Sequence, residues 1–356
     1  MGFHRSVRVI ALAGLVVLAT APSAFGRGNP TESTPHEVVA LQGGRQLNYL
    51  GTFSSEKDVE PHRPIWKRVI DFIAGPPQFH HMVRPYGVAI DSQQRILVTD
   101  PGAAAVHIFD FKKKKYVCLI AGSHGESLRS PIGIAVDKQD NIYVTDSVLG
   151  RIFVYDARGK FRRYIGESKG EGFFKRATGI AIDAQHDEMF VTDTLRNKIF
   201  VMNLGGQRLR EFGTRGINAG EFNMPTELVV HGDDVYVVDA MNFRVQVFDR
   251  QGNFKSQFGK IGDTQGSIFR PKGLGVDSEG NVYLVDGSFE DVQVFNPSGE
   301  LLYFFGRTGT SLAEFQLPAG IVIDGNDHIY VADSLNRRVQ KFEFVSARRA
   351  GSGKPQ

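Results

Sequence analysis

Residues 131–156 read PIGIAVDKQDNIYVTDSVLGRIFVYD, and this stretch decides the fold. It holds three short apolar runs rich in Ile, Val, Tyr and Phe, parted by clusters of Asp, Asn and Gly. That is the pattern of β-strands joined by tight turns. The same grammar returns as PYGVAIDSQQRILVTDPGAAAVHIFD from 85, ATGIAIDAQHDEMFVTDTLRNKIFVMN from 177 and PTELVVHGDDVYVVDAMNFRVQVFD from 225. Two further copies are PKGLGVDSEGNVYLVDGSFEDVQVFN from 271 and PAGIVIDGNDHIYVADSLNRRVQKFE from 318. The aspartate closing the middle run falls at 100, 146, 193, 239, 286 and 333, in steps of 46, 47, 46, 47 and 47 residues. A register this tight marks a repeat architecture.

A fourth apolar run precedes each following copy, as in FKSQFG (254–259) and LLYFFG (301–306). It leads into loops such as Phe212-Gly213, Gly216, Phe222 and Pro225. Four antiparallel strands per repeat describe a propeller blade, and six blades close a ring without long exposed edges. The expected fold is therefore all-β, a six-bladed β-propeller over residues 61–345. The sixth copy reaches only its third strand, so an N-terminal strand must complete the last blade. The sequence offers KRVIDFIAG (67–75) for that place. Residues 27–60 carry no repeat and are expected to form an extension, and 346–356 a basic flexible tail.

The chain has 356 residues, 41% of them hydrophobic and 23% charged, an ordinary globular composition with mass for a large core. Arg5 and Arg8 precede an apolar run from Val9 to Ala19, and Ala24-Phe25-Gly26 offers a small-residue cleavage site. That is a secretory signal over 1–26, and the run is too short and interrupted for a retained membrane span. The mature chain is expected to be periplasmic or extracellular, monomeric and without a transmembrane segment. One cysteine, Cys118, excludes an intrachain disulfide and reads as a packed strand residue. The formal charge of +3 falls to +1 without Arg5 and Arg8, and to −2 without Arg348, Arg349 and Lys354. No basic field for nucleic acid remains. The one basic run, Lys112–Lys115, is expected at a solvated hairpin tip.

The elements Pro-x-Gly-Ile-Ala-Val-Asp, Asn-Ile-Tyr-Val-x-Asp and Arg-Ile/Val-x-Val-Phe-Asp, at 131–156 and 318–342, resemble those of NHL-repeat six-bladed propellers. The resemblance covers roughly 61–345, and the fold hosts binding modules and enzymes alike. It implies a binding face formed by the loops leading into each first strand and those after each Val-x-Asp, around the mouth of a central channel. Arg84, Arg176 and Arg270 fall there, with Arg129 one place earlier in its copy, beside Tyr86, Met241, Phe243 and Phe289. Arginines with aromatics suit a protein partner or a small anionic ligand. The plainer alternative pairs each arginine with a local acid such as Asp100 or Asp286. Some NHL domains bind RNA on this face, which the export signal and charge argue against here.

The recurring acid has a base five residues later in Asp146/Arg151, Asp193/Lys198, Asp239/Arg244 and Asp333/Arg338, expected as a structural lock. Ala105 and Asp291 break it. Asp286, Glu290 and Asp291 together are expected to form a solvated acidic turn, with calcium the alternative. Glu227 replaces the glycine and His231 the aspartate in the fourth copy. Glu227 is expected at the channel mouth in a salt bridge to Arg176 or Arg270, and His231 in a turn on the opposite face. An enzyme of the amidating-lyase type would need histidines converging on zinc, and His80, His81, His124, His107, His186, His231 and His328 are out of register. A lactonase-like enzyme would need a carboxylate cluster with calcium, for which Glu227 is the candidate. The resulting expectation is a binding module with no assigned catalytic residue or cofactor, and a metal-dependent lyase or hydrolase as the alternative.

Overall fold

The computed structural model describes residues 37–40, 46–59, 80–120, 126–168 and 171–345. These form six blades. Blade one comprises Val88–Ile90, Ile96–Asp100, Ala105–Asp110 and Lys115–Leu119. Blade two comprises Pro131–Val136, Ile142–Asp146, Arg151–Tyr155 and Phe161–Ile165, and blade three Ala177–Asp183, Glu188–Asp193, Lys198–Asn203 and Arg208–Phe212. Blade four runs through Pro225–His231, Asp234–Asp239, Arg244–Asp249 and Phe254–Phe258; blade five through Pro271–Val276, Val282–Asp286, Asp291–Phe295 and Leu301–Phe305. Blade six contributes Pro318–Ile323, His328–Asp333 and Arg338–Val345. Each blade is an antiparallel sheet in strand order, as the run of apolar segments in the sequence requires.

The ring closes through Gln46–Phe53, which pairs with the third strand of blade six from Gln46↔Val345 to Phe53↔Val339. Glu37–Ala40 adds a fifth strand outside it. An N-terminal closing strand was expected; its position was not. Residues 67–75 lie outside the described residues, and the place assigned to them is filled by part of the stretch read as a repeat-free extension. The reason is visible in the alternation. Leu47 and Tyr49 enter the core shared with Phe342 and Phe344, and Phe53 joins Phe109 of blade one, with ring centroids 4.8 Å apart. Glu56 donates its N–H to the His80 carbonyl and Met82 donates to that of Ser54. Residues 46–59 therefore staple blade six to blade one.

Two polar devices repeat with the blades. The aspartate after each first strand accepts N–H groups two to four residues on, as Asp137 does from Gln139 and Asn141 at 2.9 Å each, and so shapes the turn into the second strand. Blade four has His231 there, paired directly with Asp234 around a tighter turn, and His231 is exposed on the face away from the closing aspartates. The aspartate ending each second strand is fully buried in all six blades. It is followed four residues later by a left-handed residue, with φ between 51° and 64° at Ala104, Gly150, Asn197, Phe243, Glu290 and Arg337.

The blades also interlock at the centre. A Cβ on Gly87, Gly133, Gly273 or Gly320 would meet a backbone oxygen of the next blade at 2.2 to 2.4 Å, so only glycine lets the first strands approach this closely. In blades one to three a buried threonine adds a bond across the gap. Thr145 Oγ1 donates to the Thr178 carbonyl at 2.6 Å and accepts from the Gly133 N–H at 2.8 Å; Thr99 repeats this toward Ile132. Cys118 lies in the fourth strand of blade one, half-buried, with its thiol pushed up by burial. It is thus less enclosed than expected and protonated at neutral pH. Lys112–Lys114 form an exposed turn, as anticipated. No helix among the described residues is long and apolar enough to cross a membrane.

Candidate functional site

The six first strands line a central channel of about 320 Å³. Its wall is glycine and aliphatic residues, and Glu227 and His231 are the titratable groups in it. Glu227 stands where the other blades have the interlocking glycine. Its Oε1 accepts the Leu228 N–H at 3.0 Å and lies over Gly179 of blade three. The expected salt bridge to Arg176 or Arg270 is not formed. Burial raises its pKa to about 7, with the Leu228 N–H opposing.

Above this end of the channel lie the residues flanking each Pro-x-Gly. The N–H of Arg84 goes to Asp100, that of Arg176 to Asp193 and that of Arg270 to Asp286, at 2.9 to 3.1 Å. The alternative in which each arginine pairs with a local acid is therefore not met, since the acids bind the backbone N–H and no guanidinium. The aspartates hold the backbone, and the exposed guanidiniums are left to the solvent side. Arg129 shares the arrangement one place earlier, with both Arg129 and Ser130 donating to Asp146. It thus occupies the register of Val83, Lys175 and Phe269.

The sequence reading missed Lys272. It follows Pro271 as Tyr86 follows Pro85, and its Nζ lies 6.0 Å from the Tyr86 ring centroid. Burial lowers the Lys272 pKa, and the positive charges of Arg270, Arg176 and Arg84 lower it further. Burial raises the Tyr86 hydroxyl to about 12, so it stays a donor; Glu227 pushes the same way and the three arginines oppose. Three guanidiniums, one ammonium and a phenol thus share the mouth with a single carboxylate. The available signal was positional: Lys272 sits in the same Pro-x-Gly slot as Tyr86.

The aromatic expectations divide. Phe243 is left-handed and half-buried against the core between blades four and five, and its ring lies 6.2 Å from that of Phe269. Phe269 is the exposed partner of that pair. Phe289 is half-buried, its N–H directed at Asp286. Met241, by contrast, belongs to an exposed apolar series with Val148, Leu195 and Leu335, each 50% to 63% exposed and each two residues after the closing aspartate.

The expected Asp–base lock exists in two blades. Arg244 meets Asp239 at 2.9 Å and Arg338 meets Asp333 at 2.8 Å, each also reaching two carbonyls of the preceding loop. In blade two Arg151 pairs with Glu126, and in blade three Lys198 pairs with Glu211 while Arg196 meets Asp193. The common duty of the aspartate is to hold backbone N–H groups. Blade five corrects the expectation of a solvated acidic turn: Asp286 and Asp291 are both buried. Burial, and then Asp286, raise the Asp291 pKa to about 7. Among the described residues no three His, Cys, Asp or Glu side chains converge as metal ligands. His107 bonds Asp100 and Tyr116 inside blade one, while His186 and His328 pair with Asp183 and Asp324; His124 lies outside the described residues.

Residues 128–214 match the family described as 6-bladed beta-propeller, and residues 315–342 match the NHL repeat. Protein brain tumor of Drosophila melanogaster is 36% identical over 67 residues, 18% of this chain and 6% of that protein. B-box type zinc finger protein ncl-1 of Caenorhabditis elegans is 44% identical over 48 residues, 13% of this chain and again 6% of that protein. The chain thus spans a small part of these relatives. Among solved structures, a streptogramin B lyase superposes with a TM-score of 0.56 at 14% identity, covering 88% of this chain and 94% of that one. A gluconolactonase from Xanthomonas campestris gives 0.58 at 15% identity, covering 86% and 92%. An auxiliary nutrient binding protein from Bacteroides thetaiotaomicron gives 0.59 at 15% identity, covering 74% and 70%. At these identities the likeness concerns the fold alone. Six registered blades make this chain a six-bladed β-propeller, and its residues 315–342 match the NHL repeat.

Proposed function

We propose that the chain is an exported binding or scaffolding module that recognises a protein partner or a small anionic ligand on its channel-mouth face. The observation that carries this reading is the group of arginines, Arg84, Arg176 and Arg270, whose N–H groups are anchored and whose guanidiniums form no ion pair among the described residues. Each exposed guanidinium offers a planar fork of donors suited to carboxylate or phosphate oxygens. The exposed apolar residues Val148, Leu195, Met241 and Leu335 surround them on the same face, an arrangement suited to a protein partner.

The test is a photo-crosslinker placed at Leu195 in cells, followed by affinity measurements on the purified captured partner. The Arg176→Glu/Arg270→Glu double variant should lose that partner; retained affinity would defeat the reading. Export rests on Arg5, Arg8 and the apolar run before Ala24-Phe25-Gly26, and the N-terminal sequence of the mature protein checks it. The module is expected to act as a monomer.

A metal-dependent lyase or hydrolase is the second reading, favoured by Glu227, whose carboxyl pKa near 7 suits proton transfer at the channel mouth. The described residues do not fit a three-ligand zinc site. Metal analysis of protein purified without chelators separates the two readings, since a tightly held equivalent of zinc or calcium would favour the enzyme.

A further inference from the structure

We infer that the channel mouth is a receptor for a multivalent oxyanion, a group presenting three or more negative charges on carboxylate or phosphate oxygens. This rests on the binding-module reading and names what that face recognises.

The placement of charge carries the inference. The residue just before the Pro-x-Gly position is, in blade order, Arg84, Ser130, Arg176, Met224, Arg270 and Leu317. Arginine therefore occupies every second blade of a six-bladed ring, and three guanidiniums leave equivalent points spaced evenly about one axis. Their backbone anchors are the same in kind, an N–H held by a buried aspartate at the end of the second strand. Those aspartates are turned inward, so they fix the arginines without neutralising them.

No carboxylate of the described residues pairs directly with these charges, although Asp286 acts on Lys272 through space. Among the described residues, none of the three guanidiniums nor the Lys272 ammonium has a carboxylate at ion-pair distance. Lys272 lies over the Tyr86 ring, and burial together with the field of the three arginines disfavours its charged form. A surface that concentrates like charges while leaving them unpaired is poised for an anion, because the ligand relieves repulsion as well as forming hydrogen bonds. Tyr86 remains protonated and adds a donor.

The valence follows from the geometry. A single carboxylate can occupy one guanidinium fork. All three arginines act on Tyr86 and Lys272 together, so an anion with three charged groups whose span matches them engages several forks at once, and Lys272 supplies a fourth charge. The channel beneath is walled by glycine and aliphatic residues, with only Glu227 and His231 titratable among its lining, so the anion sits at the mouth rather than within the bore. The oxyanion can be a free solute or acidic side chains displayed by a protein, and the two sources share this chemistry.

The purified chain should be titrated calorimetrically with tricarballylate, tripolyphosphate, a Glu-rich peptide and acetate, at low and moderate salt. At least one trivalent probe is expected to bind with one equivalent, tighter than acetate by about tenfold or more, and to weaken as salt rises. Arg176→Glu/Arg270→Glu should abolish that binding, while Lys112→Glu on the opposite face should leave it unchanged; circular dichroism confirms that both variants fold. Preference for tricarballylate marks a carboxylate ligand, preference for tripolyphosphate a phosphate ligand, and preference for the peptide a displayed acidic segment. Failure of every multivalent probe, or binding that survives the double substitution, overturns the inference. If the probes fail while a crosslinked partner still depends on Arg176 and Arg270, the binding-module reading stands and the oxyanion receptor falls.

Discussion

Asp286 and Asp291 are direct partners across the second and third strands of blade five, at the place where Asp239 and Arg244 form an ion pair in blade four. One substitution turns an attraction between buried charges into a repulsion. Gln293 still holds the preceding loop as Gln246 does in blade four, but Asn242, which donates to Asp239, is replaced by Phe289. The cost shows in Asp291, whose pKa burial and the Asp286 charge raise to about 7.

That shift makes blade five sensitive to pH. The Asp291 pKa rises from an ordinary 3.8 to about 7 in the fold. Below 3.8 both folded and unfolded chains are protonated, so no penalty exists. As pH climbs toward 7 the unfolded chain ionises first, and stability falls by a few kcal/mol, at most about 4, with the full penalty present above pH 7. Asp291→Asn should therefore melt with the wild type at pH 4 and above it at pH 8. Equal melting temperatures at both would contradict the assignment.

Glu227 adds a second, independent dependence with the same sign. Its folded pKa of about 7 against an ordinary 4.5 places the loss of stability between those values, on the order of 3 kcal/mol at most. Glu227→Gln should flatten the melting profile over that window. Because Glu227 and Asp291 sit in different blades, the gains should add in the double variant.

Closure of the ring can be probed in the strand itself. Tyr49→Ala and Phe53→Ala each empty a buried position between blade six and its neighbours, and each should cost about 3 to 5 kcal/mol in denaturant unfolding. Deleting residues 46–59 should abolish a cooperative transition. If the deleted chain melts like the wild type, another segment closes the ring.

The threonines of the centre give a test of blade-to-blade coupling. Thr145→Val keeps shape but leaves the Thr178 carbonyl and the Gly133 N–H without their bond. The expected loss is about 1 to 3 kcal/mol. Gly133→Ala should cost more, because its Cβ would lie 2.2 Å from the Thr178 oxygen. A neutral Gly133→Ala would mean the blades can separate without penalty.

Legibility in the sequence followed the reach of each interaction. Strands and turns are set within a few residues, so six copies in register revealed them. The Asp–base pairs, five apart, were legible as a motif, yet in blades two and three the base finds Glu126 or Glu211 instead. A long side chain chooses among neighbours brought in from other strands, and spacing does not record that choice. Lys272 and Phe269 were missed because their meaning comes from Tyr86 and Phe243, residues 186 and 26 positions away in the chain.

The amino-acid sequence by itself determined the six blades, their phase, the need for a closing strand and the position of arginine in alternate blades, because all of these are periodic. Only the tertiary structure decided which N-terminal strand closes the ring, that Asp291 is buried beside Asp286, that Glu227 stands apart from the arginines, and that Lys272 joins them over the channel. These depend on burial and on contacts between blades, and both arise when the ring closes.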